Sequence, residues 1–551
     1  MRWPPRTWAV FLAHGWAWKT MPGTGRQAIG GGRLGHGRSS SRMDGPGRLC
    51  RARAGRQSRA AGPPAVAVQG GVRGSLPLRF PQQSSSPDLS RQRMKDQPFP
   101  PPASAEDVLR LVTERGLTHV KVGVFDMDGI LRGKYIRRDK LESALAGGFG
   151  FCDVVLGWDS NDQLYDNVRL TGWHTGYPDA QVRLLPETCR ALPEEGDGLF
   201  ILGEFAGEAE AVCPRATLRR VLARAERLGF AAQAGLEYEF FLFDETPQSL
   251  ADKGWRDPQP FTPGNFGYSV LRNSVHAELY DDLLAMGEAM RLPLEGLHTE
   301  TGPGVLEAAL CVADALEAAD RAALFRTFTK VLCQRRGLLA TFMAKWSGDY
   351  PGQSGHAHVS LRDGDGGAVF HDPEAPAHMS AAQRAFVAGQ QALMPELLAL
   401  VAPTVNSFTR LVPGFWAPTH ATWGIENRTC ALRVIPGSAK SQRVEYRVAG
   451  ADANPYLALA AAIGSGLHGI EQGLEGSPAL EGNAYEADLP DEQALPPTLW
   501  DAAQRLKAST AARELFGDAF VEHFAATREW EEREYRRHVS DWELRRYFEI
   551  I

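Results

Sequence analysis

The alternation of apolar and polar positions is sharpest at Gly235 to Phe243, GLEYEFFLF, where Leu236, Tyr238, Phe240 and Leu242 fall on one face. Successive strand residues point to opposite sides, so Glu237 and Glu239 share the other face with Gly235 and Phe241. Upstream, SAEDVLRLVTERG from Ser104 predicts a helix, with Ser at the N-cap, acids in the first turn and Gly after the end. THVKVGVFDMDGILRGKYI then alternates and breaks at Asp128-Gly129, the pattern of a hairpin. GLFILGEF predicts the strand that closes a first, smaller domain near residue 210, and ATLRRVLARAERLG predicts a helix leading into GLEYEFFLF. Helices and short strands then alternate irregularly, without repeats. The expected class is α+β with antiparallel sheet, in two domains over 104–210 and 211–551.

Composition changes this picture at one end. Residues 1–93 hold 16 Lys and Arg against only Asp44 and Asp88, within a chain whose formal net charge is -6. This basic head, rich in Gly, Ser, Pro and Arg, predicts a disordered extension. It reads as a transit peptide, as a segment for an anionic partner, or as an over-extended start before Met94; the last is favoured because helix signals begin only after Met94. The rest of the chain points to no nucleic-acid or membrane partner. Seven scattered cysteines without a CxxC pair fit a reducing, cytoplasmic setting. YLALAAAIGSGL from Tyr456 is too short to span a bilayer and predicts a core helix.

The candidate chemistry is anionic. Two carboxylates on one face of an apolar strand are tolerable on a solvated edge, or inside if cations neutralise them. LHTETGPGVLEAAL sets Glu300 and Glu307 across a Gly-Pro-Gly turn, QSGHAHVSL sets His356 and His358 at spacing two, and QRVEYRV sets Glu445 between Arg443 and Arg447. Five carboxylates and an imidazole from separate strands and turns suit a two-metal site for Mg²⁺ or Mn²⁺. Arg410, Arg428, Arg433, Lys440, Arg443 and Arg447 supply the positive charge that a phosphoryl transfer requires. There is no GxxxxGK[ST] loop, so ATP phosphates must be held another way. RDGDGG at Arg362 to Gly367 superficially suggests a calcium loop, but it lacks the twelfth-position Glu and reads as a hairpin turn.

GLEYEFFLF, the HxH strand, NSFTRLVPG, NRTCALR, QRVEYR and ADANPYLALAAAI resemble, in order and type, the motifs of type I-like glutamine synthetases. RVEYRVAGADANPYL and DGILRGKYI are most similar to the branch containing gamma-glutamylputrescine synthetase. The resemblance implies a small N-terminal β-grasp-like domain and a large catalytic domain whose antiparallel strands form a funnel, assembled as a homo-oligomer of two stacked hexameric rings. It implies an ATP-dependent ligase joining glutamate to an amine or ammonia through γ-glutamyl phosphate. One metal would be held by Glu239, Glu300 and Glu307, and a second by Glu237, His356 and Glu445. Glu295, His358, Ser360, Lys440 and Arg443 match nucleotide-site positions. Arg428 and Arg433 match residues around the transferred phosphate, the latter also counted with the ATP site. Arg410 and Arg447 match residues that bind glutamate, Arg410 with a share in catalysis, and Gly352 belongs with the same substrate pocket.

The sequence departs from that pattern in three places. Ammonia-using members carry Glu two residues after the flap PG; here Trp416 stands there, which points to an amine bulkier than ammonia. An ordinary ammonia-using enzyme, with Asp159 serving ammonium, is the alternative. Pro351 replaces the Asn often found five residues before the first histidine, and the altered surroundings of Tyr485 predict no adenylylation. A catalytically dead scaffold would have lost metal ligands, whereas all six are present; a kinase releasing a stable phosphorylated acid would share the same phosphate-binding groups.

Overall fold

The computed structural model describes residues 99–551, so the expectations for the basic head, its start at Met94 and Cys50 lie outside the described residues. The helix expected from Ser104 spans Ala105–Glu114, and the Ser104 side chain accepts a hydrogen bond from the Asp107 N–H. It leads into β1 (His119–Phe125) and β2 (Leu131–Arg137), an antiparallel hairpin in the register His119 opposite Arg137. Gly129 turns it with φ +73°, a conformation that a β-carbon would strain.

β3 (Phe149–Cys152), β4 (Asp179–Leu184), β5 (Arg190–Ala191) and β6 (Leu199–Phe205) complete the first sheet in the order β2-β1-β6-β4-β3, with β5 on β6. β6, the strand expected from GLFILGEF, is buried along its whole length and runs parallel to β1 inside the sheet. Its apolar run, broken only at Glu204, which pairs with Arg183 and Arg215, is what burial on both faces demands.

The second sheet carries the candidate chemistry. It comprises β7 (Ala231–Phe243), β8 (Leu294–Thr299), β9 (Val305–Leu310), β10 (Ala313–Asp314), β11 (Leu339–Thr341), β12 (Ala357–Arg362), β13 (Trp423–Ile425), β14 (Leu432–Ile435) and β15 (Arg443–Tyr446). The order is β13-β14-β15-β12-β7-β9-β8, with β10 and β11 also on β7. All pairs are antiparallel except β13 with β14. The expected α+β class with antiparallel sheet therefore holds, each sheet carrying one parallel pair. RDGDGG is a turn: Asp363 Oδ1 accepts from the Asp365 and Gly367 N–H groups, and Arg362 bridges to Ala368.

Behind this sheet, the apolar run from Tyr456 forms the core helix Pro455–Gln472, capped by the Asn454 side chain and ended by Gly473 at φ +60°. It packs against helix Ala381–Val401 at a glycine pair, since a β-carbon on Gly389 would lie 2.6 Å from the Gly469 Cα. Asn454 also donates to the Asp126 and Met127 carbonyls of the β1–β2 turn, and Arg528 pairs with Asp128 at 2.7 Å. These contacts fix the first sheet's hairpin against the helical layer. None of the described helices is long and apolar enough to cross a membrane.

Candidate functional site

β7 anchors its apolar face in the core, with Leu236, Tyr238 and Phe240 buried, and this turns Glu237 and Glu239 the other way. Antiparallel pairing then selects their neighbours. Glu239 stands opposite Glu307 on β9, and Glu445 on β15 stands between His358 on β12 and Arg433 on β14. The Glu237 N–H donates to the His356 carbonyl at 2.9 Å, which brings the HxH segment beside the paired acids. Strand register, rather than sequence proximity, is what assembles the site.

Two clusters result, in each of which the potential ligand atoms lie within 4.8 Å of one another: Glu237 with His356 and Glu445, and His298 with Glu300 and Glu307. In the first, His356 Nδ1 lies 3.5 Å from Glu237 and 3.3 Å from Glu445, and His358 Nε2 lies 3.0 Å from Glu237. In the second, His298 Nε2 is 3.7 Å from both Glu300 and Glu307. Glu239 stands beside this cluster and accepts the Ser354 N–H at 2.7 Å. The first trio coincides with one expected ligand set. In the second, His298 stands with Glu300 and Glu307, where Glu239 had been expected.

The electrostatics follow from burial and crowding. Burial, then the charges of Glu239 and Glu237, push the Glu307 carboxyl up to about 9. For Glu445, burial alone would raise the carboxyl, but His356 and Arg447 outweigh it and hold it down to about 2. Burial likewise opposes ionisation of Glu237, and hydrogen bonds from His356 and His358 overcome it, leaving this carboxyl well below the usual range. Burial and Arg447 lower the basicity of His356, favouring the neutral imidazole that a metal needs.

These residues fit divalent cations. His298 Nε2, Glu300 Oε2 and His356 Nε2 are buried atoms without a hydrogen-bond partner. Buried orphan donors and acceptors of this kind call for a ligand, and a carboxylate-rich set with one or two imidazoles suits Mg²⁺ or Mn²⁺. The raised Glu307 points the same way, because the cluster cannot be fully ionised until a cation offsets the repulsion.

A cavity of about 410 Å³ opens over the acids, lined by Glu237, Glu239, Glu300 and Glu307 together with Gly352, Pro351, Arg428 and Arg447. Its outer wall is aromatic, formed by Tyr268, Phe415 and Trp416. Trp416 is 57 % exposed and sits at φ +61°, an uncommon backbone for a bulky residue. A second cavity, also about 410 Å³, contains Glu295, His358, Ser360, Lys440 and Arg443. Glu237 lines both, so the two chambers share one carboxylate.

Three expected residues, Arg410, Arg433 and Glu445, line neither cavity. Arg410 is only 2 % exposed, and its guanidinium donates to the Val448 and Arg447 carbonyls and to Ser354 Oγ. It lies behind Gly352, where a β-carbon would come within 2.7 Å of its side chain. It thereby braces Gly352 and Ser354, both of which line the acid-lined cavity. Arg433 bonds Glu426 and, at 3.0 Å, Glu445. Asp159 is spent on a turn, its Oδ1 accepting from the Asn161 and Gln163 N–H groups. The Tyr485 hydroxyl donates to the Ala417 carbonyl beside the flap.

Sequence reasoning passed over His298 and Tyr268, whose rings stack at 4.4 Å with 9° between planes. The spacing of two between His298 and Glu300 was an available signal, equal to that of His356 and His358. Tyr268 left none, since it lies in a loop some thirty residues upstream.

Comparison with known proteins agrees with this geometry. Residues 211–547 match the model of the glutamine synthetase catalytic domain. The chain is 44 % identical over 459 residues to type-1 glutamine synthetase 2 of Dictyostelium discoideum, covering 81 % of this chain and 87 % of that one. It is 35 % identical over 446 residues to glutamate--isopropylamine ligase of a Pseudomonas species, covering 80 % and 97 % respectively. A solved structure described as apo GmaS without ligand superposes with a TM-score of 0.70 at 26 % identity, covering 80 % of this chain and 99 % of that chain.

Proposed function

The chain belongs to the glutamine synthetase family, and from that premise we propose that it forms a γ-glutamyl amide from glutamate, ATP and an amine larger than ammonia. The observation that carries this reading is Trp416 in the wall of the acid-lined cavity, where an ammonia-using site needs a carboxylate. Its indole cannot accept a proton, but together with Phe415 and Tyr268 it offers an apolar, cation-attracting surface to an organic amine. Similarity to a glutamate--isopropylamine ligase supports the same choice. The similarity to type-1 glutamine synthetase 2 keeps ammonia as the competing acceptor.

The chemistry begins from a carboxylate, whose oxygen does not leave when an amine attacks. A γ-carboxylate oxygen of glutamate therefore attacks the γ-phosphorus of ATP; the bond to ADP breaks and an acyl phosphate forms. The neutral amine then attacks the acyl carbon, phosphate departs with the bonding pair, and the nitrogen gives up one proton. In our assignment Glu295, His358, Ser360, Lys440 and Arg443 hold the nucleotide, with its phosphates directed toward Glu237, the carboxylate common to both cavities. Arg428 and Arg447 face the transferring phosphoryl group and the glutamate, where guanidinium forks match their oxygens. Arg433 keeps Glu445 in place, and Arg410 holds the wall formed by Gly352 and Ser354.

Glu237, His356 and Glu445 would hold one divalent ion, and Glu300 and Glu307, with His298 and Glu239 at hand, a second. Such ions, when bound, neutralise phosphate oxygens and let two anions meet. The flap around Phe415 and Trp416 screens the acyl phosphate from water, and any water admitted there would waste the nucleotide. We assign residues 104–210 and 211–551 to separate domains, the first β-grasp-like, in a cytoplasmic homo-oligomer of stacked rings.

The test is an amine panel of isopropylamine, ethanolamine, putrescine, methylamine and ammonium with glutamate, ATP and Mg²⁺, read by product mass together with ADP. Amide products from organic amines are expected; turnover with ammonium alone would refute the bulky-amine assignment.

A further inference from the structure

Lys345 touches the flap-bearing segment at two points. Its backbone is clamped near the start of helix Val405–Arg410: its N–H donates to Asn406 Oδ1 and its carbonyl accepts from Asn406 Nδ2, each at 2.8 Å. Its side chain reaches further along the same segment, where Nζ stands 4.3 Å from the centroid of the Phe415 ring. The same ring lines the acid-lined cavity. One residue therefore holds both ends of the stretch that carries the flap.

Lysine is an unfavourable choice there. Lys345 is 7 % exposed, and its ammonium has neither an ion-pair nor a hydrogen-bond partner among the described residues. Burial lowers its basicity, and no carboxylate offsets that pull. A buried cation without a partner costs free energy, and an apolar side chain of the same length would pack without that cost. The Phe415 ring face is the compensation the structure supplies, since an ammonium over an aromatic ring is attracted most strongly where water is excluded. The flap needs such a hold. Pro413 to Trp416 form a turn outside every helix and strand, and Gly414 and Trp416 both sit at positive φ. Its backbone anchors lie at its two ends: the Val412 N–H donates to the Arg410 carbonyl at 2.8 Å, and the Ala417 carbonyl accepts the Tyr485 hydroxyl at 3.1 Å.

We propose that Lys345 is a positioning residue that holds the flap closed, its ammonium attracting the Phe415 ring so that Phe415 and Trp416 keep water from the acyl phosphate. Lys345 touches no reactant, and no bond changes at it. With the ammonium gone the turn opens more often and water attacks the acyl carbon. Phosphate then departs with the bonding pair, the water gives up a proton, and glutamate is regenerated, so ATP is hydrolysed without amide. That last consequence rests on the ligase reading, whereas the hold on the flap stands apart from it.

Two measurements on the full chain, in wild type, Lys345→Met and Lys345→Arg, test the proposal. Met keeps the length and apolar stem of lysine, and Arg keeps the cation. The first measurement is the rate of chymotryptic cleavage after Trp416 in the native protein, identified by fragment mass, which follows opening of the turn and needs no turnover. The second is ADP formed per amide formed, with ammonium or isopropylamine, whichever is the better acceptor. Lys345→Met is expected to speed cleavage about tenfold, the scale of one desolvated cation–π contact, and to raise ADP per amide about twofold or more. Lys345→Arg should return both toward wild type. Phe415→Leu should raise ADP per amide in the same way, and adding Lys345→Met to it should raise it no further. Unchanged cleavage or an unchanged ratio in Lys345→Met, or equal effects of the Met and Arg variants, would overturn the proposal. If wild type forms no amide from any amine, the ligase reading fails and the cleavage rates alone decide the hold on the flap.

Discussion

Glu239 on β7 and Glu307 on β9 are register partners, two carboxylates directly across adjacent strands. Like charges in that relation destabilise a sheet, and here burial adds to the repulsion. The site pays for this arrangement by keeping Glu307 protonated until a cation arrives, and cation loading, proton release and sheet stability are thereby linked.

Metal binding should therefore release a proton. The Glu307 carboxyl is pushed up to about 9 by burial and by Glu239 and Glu237, so below that pH the metal-free site holds a proton that the unfolded chain would lose near 4.5. Metal-free stability accordingly falls as pH rises from about 4.5 toward about 9, since the unfolded chain binds fewer protons throughout that window. Titrating Mn²⁺ into the chelator-treated protein at pH 7.5, in buffers of different ionisation enthalpy, should show close to one proton released per chain from this group, and Glu307→Gln should abolish that share. The same Mn²⁺ should flatten the decline of melting temperature with pH.

Trp416 should control the choice of amine. Trp416→Glu restores a proton acceptor at the flap and removes the indole face, so kcat/KM for ammonium should rise and that for isopropylamine fall. A change of about 10–100-fold in their ratio is expected, the range a single pocket contact commands. Competition assays with both amines present, scored by product mass, read the ratio directly; an unchanged ratio would mean that Trp416 only packs the flap.

His523 should impose an acid limit on stability that has nothing to do with the metal clusters. Burial lowers its folded pKa to about 4, against an unfolded value of 6.5. The stability it contributes is complete above pH 6.5 and is lost as pH falls toward 4, amounting to about 3 kcal/mol across that window. Denaturant midpoints measured between pH 4 and 7 should decline more steeply in wild type than in His523→Phe, whatever the variant's stability at pH 7.

The strand bearing Glu237 and Glu239 was legible because its opposite face is continuously apolar, and strict alternation leaves no freedom about where the two carboxylates point. The histidine pair at spacing two, the core helix from Tyr456 and the turn at Asp363 were legible for similar local reasons. Pairing partners were not. Nothing in VLEAAL says that Glu307 faces Glu239, or in QRVEYR that Glu445 faces His358; register is a long-range property set by the whole sheet. The parallel placement of β6 on β1 was hidden because a strand buried on both faces loses its alternation. Arg410 was legible as a candidate from its place before the flap turn, whereas its bonds to Val448, Arg447 and Ser354 were not, because three-dimensional packing makes them.

The central claim is that two acid clusters, one around Glu237 and the other around Glu307, each bind a divalent ion. Counting Mn²⁺ bound per chain by electron paramagnetic resonance, for the chelator-treated wild type and for Glu237→Gln and Glu307→Gln, tests it most directly. Two ions in wild type and one in each variant are the expected result. Equal retention of Mn²⁺ by all three proteins, or none by the folded wild type, would contradict it.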